Sequence, residues 1–298
     1  MNFDISSEQQ ILQDSVDRFV QDHYELDKRQ LLVLTEHGFS KENWQTMAEL
    51  GWLGVSVPEA HGGFGGNEID TMILMEAFGK GLVLEPFLAS TVLGAKAIAD
   101  GGDEALKTEM LPGVVEGSRQ LTLAYAEAQS RFDLDDIITH AKSDGQDYVI
   151  NGHKSMVLHA GSAQQIVVST RTSGGQADKA GISLFLIDAN APGVEITSFP
   201  TVDGQQASEI KLEGVKVSST RLLGELDNGY ELLNALATAG ILALAAEAVG
   251  AMEILYKDTV AYTQEREQFD HALSDFQVLQ HRMVDMFMEY EQCKSLLY

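Results

Sequence analysis

The strongest constraint on the fold is a change in hydrophobic period that occurs twice along the 298-residue chain. Apolar residues recur three and four positions apart in the first third, as in residues 11–20, which is the spacing of a helix with one buried face. Between residues 121 and 217 they follow the short, alternating runs of strands, and from Tyr230 onward the helical spacing returns. The pattern predicts an α+β protein.

Local signals place the boundaries of three domains. We predict an N-terminal α-helical domain over 1–118, a central antiparallel β domain over 119–225, and a C-terminal α-helical domain over 226–298. Ser7 and Gln10 have the spacing of a capping box, and Ser40 is a candidate N-cap of another helix. Asn151-Gly152 follows an apolar run and predicts a two-residue hairpin turn.

Two long helices are predicted after Tyr230, and the first is expected to be largely buried. The chain stops at Tyr298 without a C-cap signal, so we interpret the C-terminal domain as incomplete. The alternative is that the two helices pack on the N-terminal helices or on another subunit.

Charge and cysteine content exclude several functional classes. Twenty Lys and Arg against 45 Asp and Glu give a formal net charge of -25, which disfavours nucleic acid and anionic membranes as partners. Cys293 is the only cysteine and the eight His residues are scattered, so no metal site is predicted. The N-terminus does not resemble a signal peptide, and the apolar stretch 233–252 contains Asn234 and Glu247. We therefore expect a cytoplasmic protein without a membrane span.

Three segments together carry a family resemblance. They are the glycine-rich stretch GWLGVSVPEAHGG at 51–63, the tetrapeptide NGHK at 151–154, and Arg266 with Phe269 followed by Phe276-Gln277. In this order they resemble the P-E-x-x-G-G, N-G-x-K and R-x-x-F…F-Q segments of acyl-CoA dehydrogenases. The matches cover nearly the whole chain.

The resemblance implies a concrete reaction and a set of partners. Members of the family bind FAD and remove a proton from the carbon α to an acyl-CoA thioester, while hydride passes from the β carbon to the flavin. A glutamate is the base, and the electrons leave to another flavoprotein. Because an α-proton is weakly acidic, the base and the donors to the thioester oxygen must be positioned together.

The resemblance assigns three residues to a FAD shared across a subunit boundary. Arg266 matches the arginine that contacts the FAD pyrophosphate of a neighbouring subunit, a contact that a planar guanidinium suits. Phe269 matches a residue that lines the cofactor, and Gln277 matches a glutamine that bonds to it. The alternatives are salt bridges from Arg266 to the adjacent glutamates, core packing for Phe269, and solvent exposure for Gln277. Asp270 replaces the family's glycine.

Four further residues correspond to the segments beside the flavin ring. Tyr125 and Ala126 align with the strand and loop that end T-E-P-x-x-G-S-D, with Ala126 in place of the flavin-bonding threonine. Met156 stands where the family has a flavin-stacking tryptophan, and Leu158 stands where a threonine bonds near N5. Met can pack on a ring, but Leu cannot donate a hydrogen bond. Ordinary strand packing is the alternative for both.

No carboxylate can be assigned as the catalytic base. The CoA-binding arginine of the family corresponds to Ile241, and the alternative glutamate position corresponds to Gly240. The commoner glutamate lies beyond Tyr298, and Glu247 is interpreted as a polar helix contact. The resemblance is closest to small subunits of two-component bacterial acyl-CoA dehydrogenases. The alternatives are a self-sufficient homo-oligomeric dehydrogenase, a non-catalytic assembly subunit, and an oxidase.

Overall fold

The computed structural model describes residues 5–298 and divides the chain into two compact units. The first unit comprises the residues up to 29 with 68–83 and 241–298, and the second comprises 30–67 with 84–240. The helices are α1 (Ser7–His23), α2 (Leu26–Val33), α3 (Lys41–Glu49), α4 (Glu68–Gly81), α5 (Lys96–Gly101), α6 (Glu104–Val115), α7 (Tyr230–Glu265) and α8 (Gln277–Leu297), with a π-helical stretch over Leu88–Ala95.

In the first unit, α1 begins one residue earlier than its predicted capping box. The Ser6 hydroxyl accepts from the backbone N–H of Gln9 at 3.2 Å, and the Gln9 side chain accepts from the backbone of Ser6 at 3.0 Å. The prediction of Ser7 and Gln10 was wrong by one position, because two adjacent serines and two adjacent glutamines fit the same spacing. Lys80 on α4 pairs with Asp17 on α1 at 2.9 Å.

Two glycines allow α4 and α7 to cross at close range. A Cβ atom on Gly79 would overlap the carbonyl oxygen of Glu247, and one on Gly250 would overlap the carbonyl oxygen of Glu76. Because each glycine faces the backbone of the other helix, the two backbones touch without intervening side chains. The buried Glu76 carboxylate accepts from Lys294 of α8 at 2.7 Å.

The expectation that α7 is largely buried was wrong. Ile241 is 70% exposed, and Leu244 and Leu255 are also exposed. By length and composition α7 could cross a bilayer, and 33% of its apolar window is buried within the described chain. Core helices of water-soluble proteins meet the same test, so this is weak evidence for a membrane.

The second unit is built around one mixed sheet. Its strands are β1 (Leu121–Ala124), β2 (His140–Asp144), β3 (Asp147–Leu158), β4 (Gln165–Arg171), β5 (Ile182–Asp188), β6 (Val194–Pro200), β7 (Gln206–Val217) and β8 (Leu222–Leu223). They follow the order β6-β7-β3-β2-β4-β5-β8, and β1 joins β4 in parallel. Apart from the contacts of β1 and β2 with β4, the pairings are antiparallel, as predicted.

Alternation along β5 assigns its side chains to two cores. Leu184 and Leu186 pack with α5 and α6 residues such as Ile98, while Phe185 and Ile187 pack in a separate cluster on the other face. Both faces of β5 are therefore covered, which explains its nearly continuous apolar sequence.

The predicted hairpin turn at Asn151-Gly152 was wrong. β3 continues through this dipeptide, and the turn lies instead at the two residues between Asp144 and Asp147. The pairing of β3 with β7 shifts register between Ile150 and Gly152, as in a β-bulge. The Asn151 side chain accepts from the backbone N–H of Gly214 at 2.8 Å.

Other local predictions agree with the structure. The Ser40 hydroxyl accepts from the backbone N–H of Asn43 at 3.1 Å and caps α3. The two long C-terminal helices are present, and the α+β class is confirmed. The boundaries of 1–118, 119–225 and 226–298 stay predictions.

Candidate functional site

A β-bulge in β3 lies next to the residues that directly follow β1. Between Lys154 and Val157 the register of β3 against β7 shifts, and Met156 adopts φ +54° with its side chain 53% exposed. The backbone N–H of Ser155 donates to the carbonyl of Ala126 at 2.9 Å. The bulge therefore turns Met156 outward beside the residues that follow β1.

The structure brings all four predicted ring-side residues to this place. Tyr125 is 38% exposed next to Ala126, and the hydroxyl of Thr122 donates to the carbonyl of Leu158 at 2.6 Å. We call Tyr125, Ala126, Met156 and Leu158 the ledge. The exposure of Met156 argues against the alternative of ordinary strand packing for this residue, whereas Leu158, for which the same alternative was open, is half-buried.

A buried ion pair between Lys154 and Glu127 holds the residues on either side of Ala126 in the ledge. The ammonium of Lys154 is fully buried and donates to the Glu127 carboxylate at 2.7 Å, to the Ser169 hydroxyl at 3.0 Å, and to the Tyr125 carbonyl at 3.3 Å. One side chain of β3 therefore holds both residues that flank Ala126. Since a buried charge without partners is costly, the pair must stay intact.

The carboxylate of this pair is itself held by backbone groups. Glu127 accepts from the N–H groups of Ile138 and Thr139 at 2.9 and 3.1 Å, and from the Gln129 amide at 2.9 Å. Burial raises the pKa of Glu127, but the charge of Lys154 and these hydrogen bonds outweigh it and lower the pKa overall. Burial lowers the pKa of Lys154 to about 8, against the opposing effect of Glu127. The pair is ionised at neutral pH.

Sequence reasoning missed this pair. Its members are 27 positions apart, but each lies in a segment that the motifs had already singled out. The available signal was one ammonium in β3 and one carboxylate shortly after β1, in two segments that the resemblance places beside the same cofactor ring.

Arg171 fixes the loop that leads away from the ledge. Its guanidinium donates to four backbone carbonyls, those of Asp135, Gln176, Asp178 and Ala180, at 2.7 to 2.8 Å. A rigid, planar donor set of this kind ties two loops together without requiring a carboxylate.

The other three predicted cofactor residues surround a short hairpin in the first unit. Strands β9 (Glu267–Gln268) and β10 (His271–Ala272) join α7 to α8. Arg266 precedes the hairpin, Phe269 lies at its tip and is 86% exposed, and Gln277 begins α8. Within residues 5–298 Arg266 forms no ion pair, so the alternative of salt bridges to its neighbouring glutamates is not observed.

The tip of this hairpin explains the aspartate that replaces the family's glycine. Phe269 and Asp270 have φ +56° and +62°, and β9 pairs with β10 so that only these two residues form the loop. A type I′ turn requires positive φ at both positions. Aspartate tolerates this conformation better than most residues, so the turn survives without glycine. The ledge lies in the second unit and this hairpin lies in the first. The structure therefore brings together the four predicted residues of the ledge and, separately, the three predicted residues around the hairpin.

No catalytic residue appears at the positions compared with the family. Gly240 carries no side chain and Ile241 is an exposed hydrocarbon. Glu247 is half-buried, and its backbone lies at the crossing of α4 and α7. Among the described residues no group of three or more His, Cys, Asp or Glu could hold a metal ion.

Comparison with family models gives three matches in the order of the chain. The acyl-CoA dehydrogenase N-terminal domain matches residues 6–118, the middle domain matches 122–215, and the C-terminal domain matches 227–298.

Individual relatives agree with these matches. The probable acyl-CoA dehydrogenase YngJ of Bacillus subtilis is 30% identical over 307 residues, which covers 100% of this chain and 79% of the relative. The solved ChsE4-ChsE5 complex from Mycobacterium tuberculosis is 27% identical, with a TM-score of 0.88 over 98% of this chain and 76% of that chain. The FAD complex of PigA is 25% identical, with a TM-score of 0.91 over 100% of this chain and 79% of that chain.

Proposed function

Because the chain belongs to the acyl-CoA dehydrogenase family, we propose that it is a divergent subunit of a heteromeric enzyme that desaturates acyl-CoA thioesters. FAD is the cofactor, and flavin-dependent dehydrogenation is the chemistry of the family. The likeness to the ChsE4-ChsE5 complex supports a pairing of unlike chains.

One observation carries the proposal: among the residues that the structure describes, no carboxylate pairs with the guanidinium of Arg266, although the chain has a net charge of -25. So many acidic groups would readily pair with it, yet within residues 5–298 it forms no ion pair. A free guanidinium beside the exposed Phe269 suits a diphosphate supplied from outside its own unit.

Each of the two groups of residues offers contacts that suit a different part of a FAD molecule. The exposed side chains of Tyr125 and Met156 offer an apolar surface to a flavin ring, and Ala126 offers backbone groups at its edge. Arg266 and Gln277 offer donors to phosphate oxygens. When bound, FAD would accept the hydride from the substrate β carbon.

This chain's own contribution is binding and orientation. The Lys154–Glu127 pair holds the backbone on either side of Ala126, so the ledge is rigid before any cofactor arrives. Leu158 supplies no hydroxyl, so hydrogen bonding near the reactive part of the ring falls to backbone groups. Since Gly240 has no side chain to act as the base, we assign removal of the α-proton to a glutamate elsewhere in the assembled enzyme.

The remaining partners follow the resemblance. We propose an acyl-CoA as substrate, a second flavoprotein as electron acceptor, and an oligomer that shares FAD across subunits. A cytoplasmic location and the absence of nucleic-acid and membrane partners stay predictions.

Absorption spectra of the purified chain, alone and with a candidate large subunit, test the proposal. We expect bound flavin and thioester oxidation only in the complex. A yellow chain that oxidises acyl-CoA alone would show a self-sufficient dehydrogenase. A stable but colourless and inactive complex would show an assembly subunit, and oxygen consumption with substrate would show an oxidase.

A further inference from the structure

Glu209 of β7 lies opposite two residues of the β-bulge in β3. Between the flanking ladder pairs β3 has Ser155 and Met156, and β7 has only Glu209. The flanking pairs are Lys154 with Ile210 and Val157 with Ser208. In a bulge of this kind one residue of the longer side has no partner in the ladder. The backbone pairing therefore constrains Met156 less than it constrains a regular strand residue.

The backbone of Met156 is in an unfavourable conformation. Its φ of +54° lies in the left-handed region, which residues with a Cβ atom seldom adopt. The side chain is 53% exposed, so burial does little to offset this strain. Strain of this kind persists only where surrounding contacts hold it, and it is common at binding sites. We therefore looked for the contacts that hold Met156 in place.

Ser155, the residue before Met156, is held from two sides. Its backbone N–H donates to the carbonyl of Ala126 at 2.9 Å, and its hydroxyl donates to Oε2 of Glu209 at 2.9 Å. The first bond ties Ser155 to the residues that follow β1, and the second ties it to β7. Because Met156 follows directly in the chain, fixing Ser155 restricts the positions that the backbone of Met156 can take.

His153 orients the carboxylate that Ser155 binds. Its Nε2 lies 3.0 Å from the same Oε2 of Glu209. A carboxylate only accepts, so the imidazole N–H and the Ser155 hydroxyl both donate to this one oxygen. The two donors are two positions apart in β3, and alternation places them on one face of the strand. The ammonium of Lys211, also on β7, pairs with Glu213 at 2.8 Å.

We propose that Glu209 is a positioning residue, which acts through Ser155 to hold Met156 outward in the ledge. The contacts run from the His153 ring to the Glu209 carboxylate, and from there to the Ser155 hydroxyl. The consequence for the enzyme rests on the proposed contact of Met156 with the flavin ring. A surface that is already ordered binds its ligand more tightly, because less conformational freedom is lost on binding. Glu209 therefore influences FAD affinity without touching FAD.

Methyl NMR of the full chain labelled with ¹³C-methyl-methionine tests the positioning in the absence of flavin. The resonance that disappears in Met156→Leu assigns Met156. Glu209→Leu removes the acceptor of Ser155, so the Met156 resonance should shift towards that of a freely rotating methionine while other methionine resonances stay in place. Glu209→Gln keeps an acceptor oxygen and should retain the wild-type resonance. Glu213→Leu is the matched control, because Glu213 is an exposed glutamate of the same strand that pairs with Lys211.

Ser155→Ala tests the same route with a smaller change. It should shift the Met156 resonance in the same direction as Glu209→Leu, and it decides the question if Glu209→Leu does not fold. The double variant Ser155→Ala/Glu209→Leu should shift the resonance no further than the larger single shift, since both changes remove one hydrogen bond. A Met156 resonance that stays in place in Ser155→Ala, or single shifts that add in the double variant, would overturn the inference.

A titration of the assembled enzyme with FAD separates this inference from the proposed function. We expect Glu209→Leu to weaken FAD binding about fivefold to tenfold, the effect of one hydrogen bond, and to shift the flavin absorption bands. Glu209→Gln and Glu213→Leu should bind FAD as the wild type does. A shifted Met156 resonance with unchanged FAD affinity and absorption bands would support the positioning of Met156 but overturn its proposed contact with the flavin ring.

Discussion

The Lys154→Met substitution tests whether the buried ion pair organises the ledge. It removes a fully buried ammonium and leaves Glu127 5% exposed without its counter-charge. Ser169 Oγ and the Tyr125 carbonyl each lose a donor as well. Removing one partner of a buried pair costs roughly 3–5 kcal/mol, so we expect about 4 kcal/mol of lost unfolding free energy. A domain is typically stable by about 5–15 kcal/mol, so the variant should remain folded but be much weakened.

Urea unfolding followed by circular dichroism measures this loss by linear extrapolation. The double variant Lys154→Met/Glu127→Gln should lose less than the sum of the single losses, since it leaves no unpaired buried charge. Lys211→Met is the matched control, because Lys211 lies on the neighbouring strand β7 in an exposed pair with Glu213 and should unfold at the wild-type midpoint. A loss below about 1 kcal/mol in Lys154→Met, or strictly additive single losses, would refute the reasoning.

Three further predictions concern other parts of the chain. Arg266→Ala should weaken FAD binding to the reconstituted enzyme roughly tenfold to a hundredfold in a fluorescence titration, because a charged hydrogen bond is worth about 1.5–3 kcal/mol. Arg282→Ala is the control, because Arg282 is also exposed. Equal FAD affinities of the two variants would remove the cofactor role of Arg266. Burial raises the pKa of Glu85 from 4.5 to about 8, so its folded form retains the proton and its contribution to stability is lost as pH rises through that window. The unfolding free energy of Glu85→Gln should therefore rise relative to that of the wild type by up to about 1.4 kcal/mol per pH unit between pH 4.5 and about 8. Parallel plots of unfolding free energy against pH for the two proteins would contradict this. Gly79→Ala should lower the melting temperature by forcing a methyl group onto the Glu247 carbonyl, at a cost of about 2 kcal/mol or more, and an unchanged melting temperature would disprove the close crossing.

Much of the secondary structure could be predicted because it depends on local patterns. The helical period after Tyr230 and the cap at Ser40 both act within one or two turns, and both predictions agree with the structure. Where two adjacent residues satisfied the same local rule, as with Ser6 and Ser7, the spacing alone could not choose between them.

Asn151-Gly152 shows where local reasoning fails. The dipeptide favours a tight turn in isolation, but continued pairing of β3 with β7 satisfies more backbone groups than a turn at that point would. Asn151 then bonds to Gly214 across the sheet, a contact 63 positions away in sequence. Long-range pairing of this kind is not encoded in any short window.

The candidate site was likewise predicted from the sequence only in part. The motif comparison selected Met156 and Tyr125, and in the structure each directly adjoins one partner of the Ser155–Ala126 hydrogen bond. It did not reveal the Lys154–Glu127 ion pair, because the energetic importance of that pair depends on its complete burial, which the motifs do not show. It also could not show that apolar α7 residues such as Ile241 would be exposed, because composition does not specify what an apolar face contacts.

The crossing of α4 and α7 limits how the chain can change in length. One residue inserted into α7 between Glu247 and Gly250 would rotate everything after it by about 100° around the helix axis. Gly250 would then leave the contact, and a residue with a side chain would meet the carbonyl of Glu76. Homologous chains that keep this crossing should therefore vary in length in their loops, while the spacing between these helix positions stays constant.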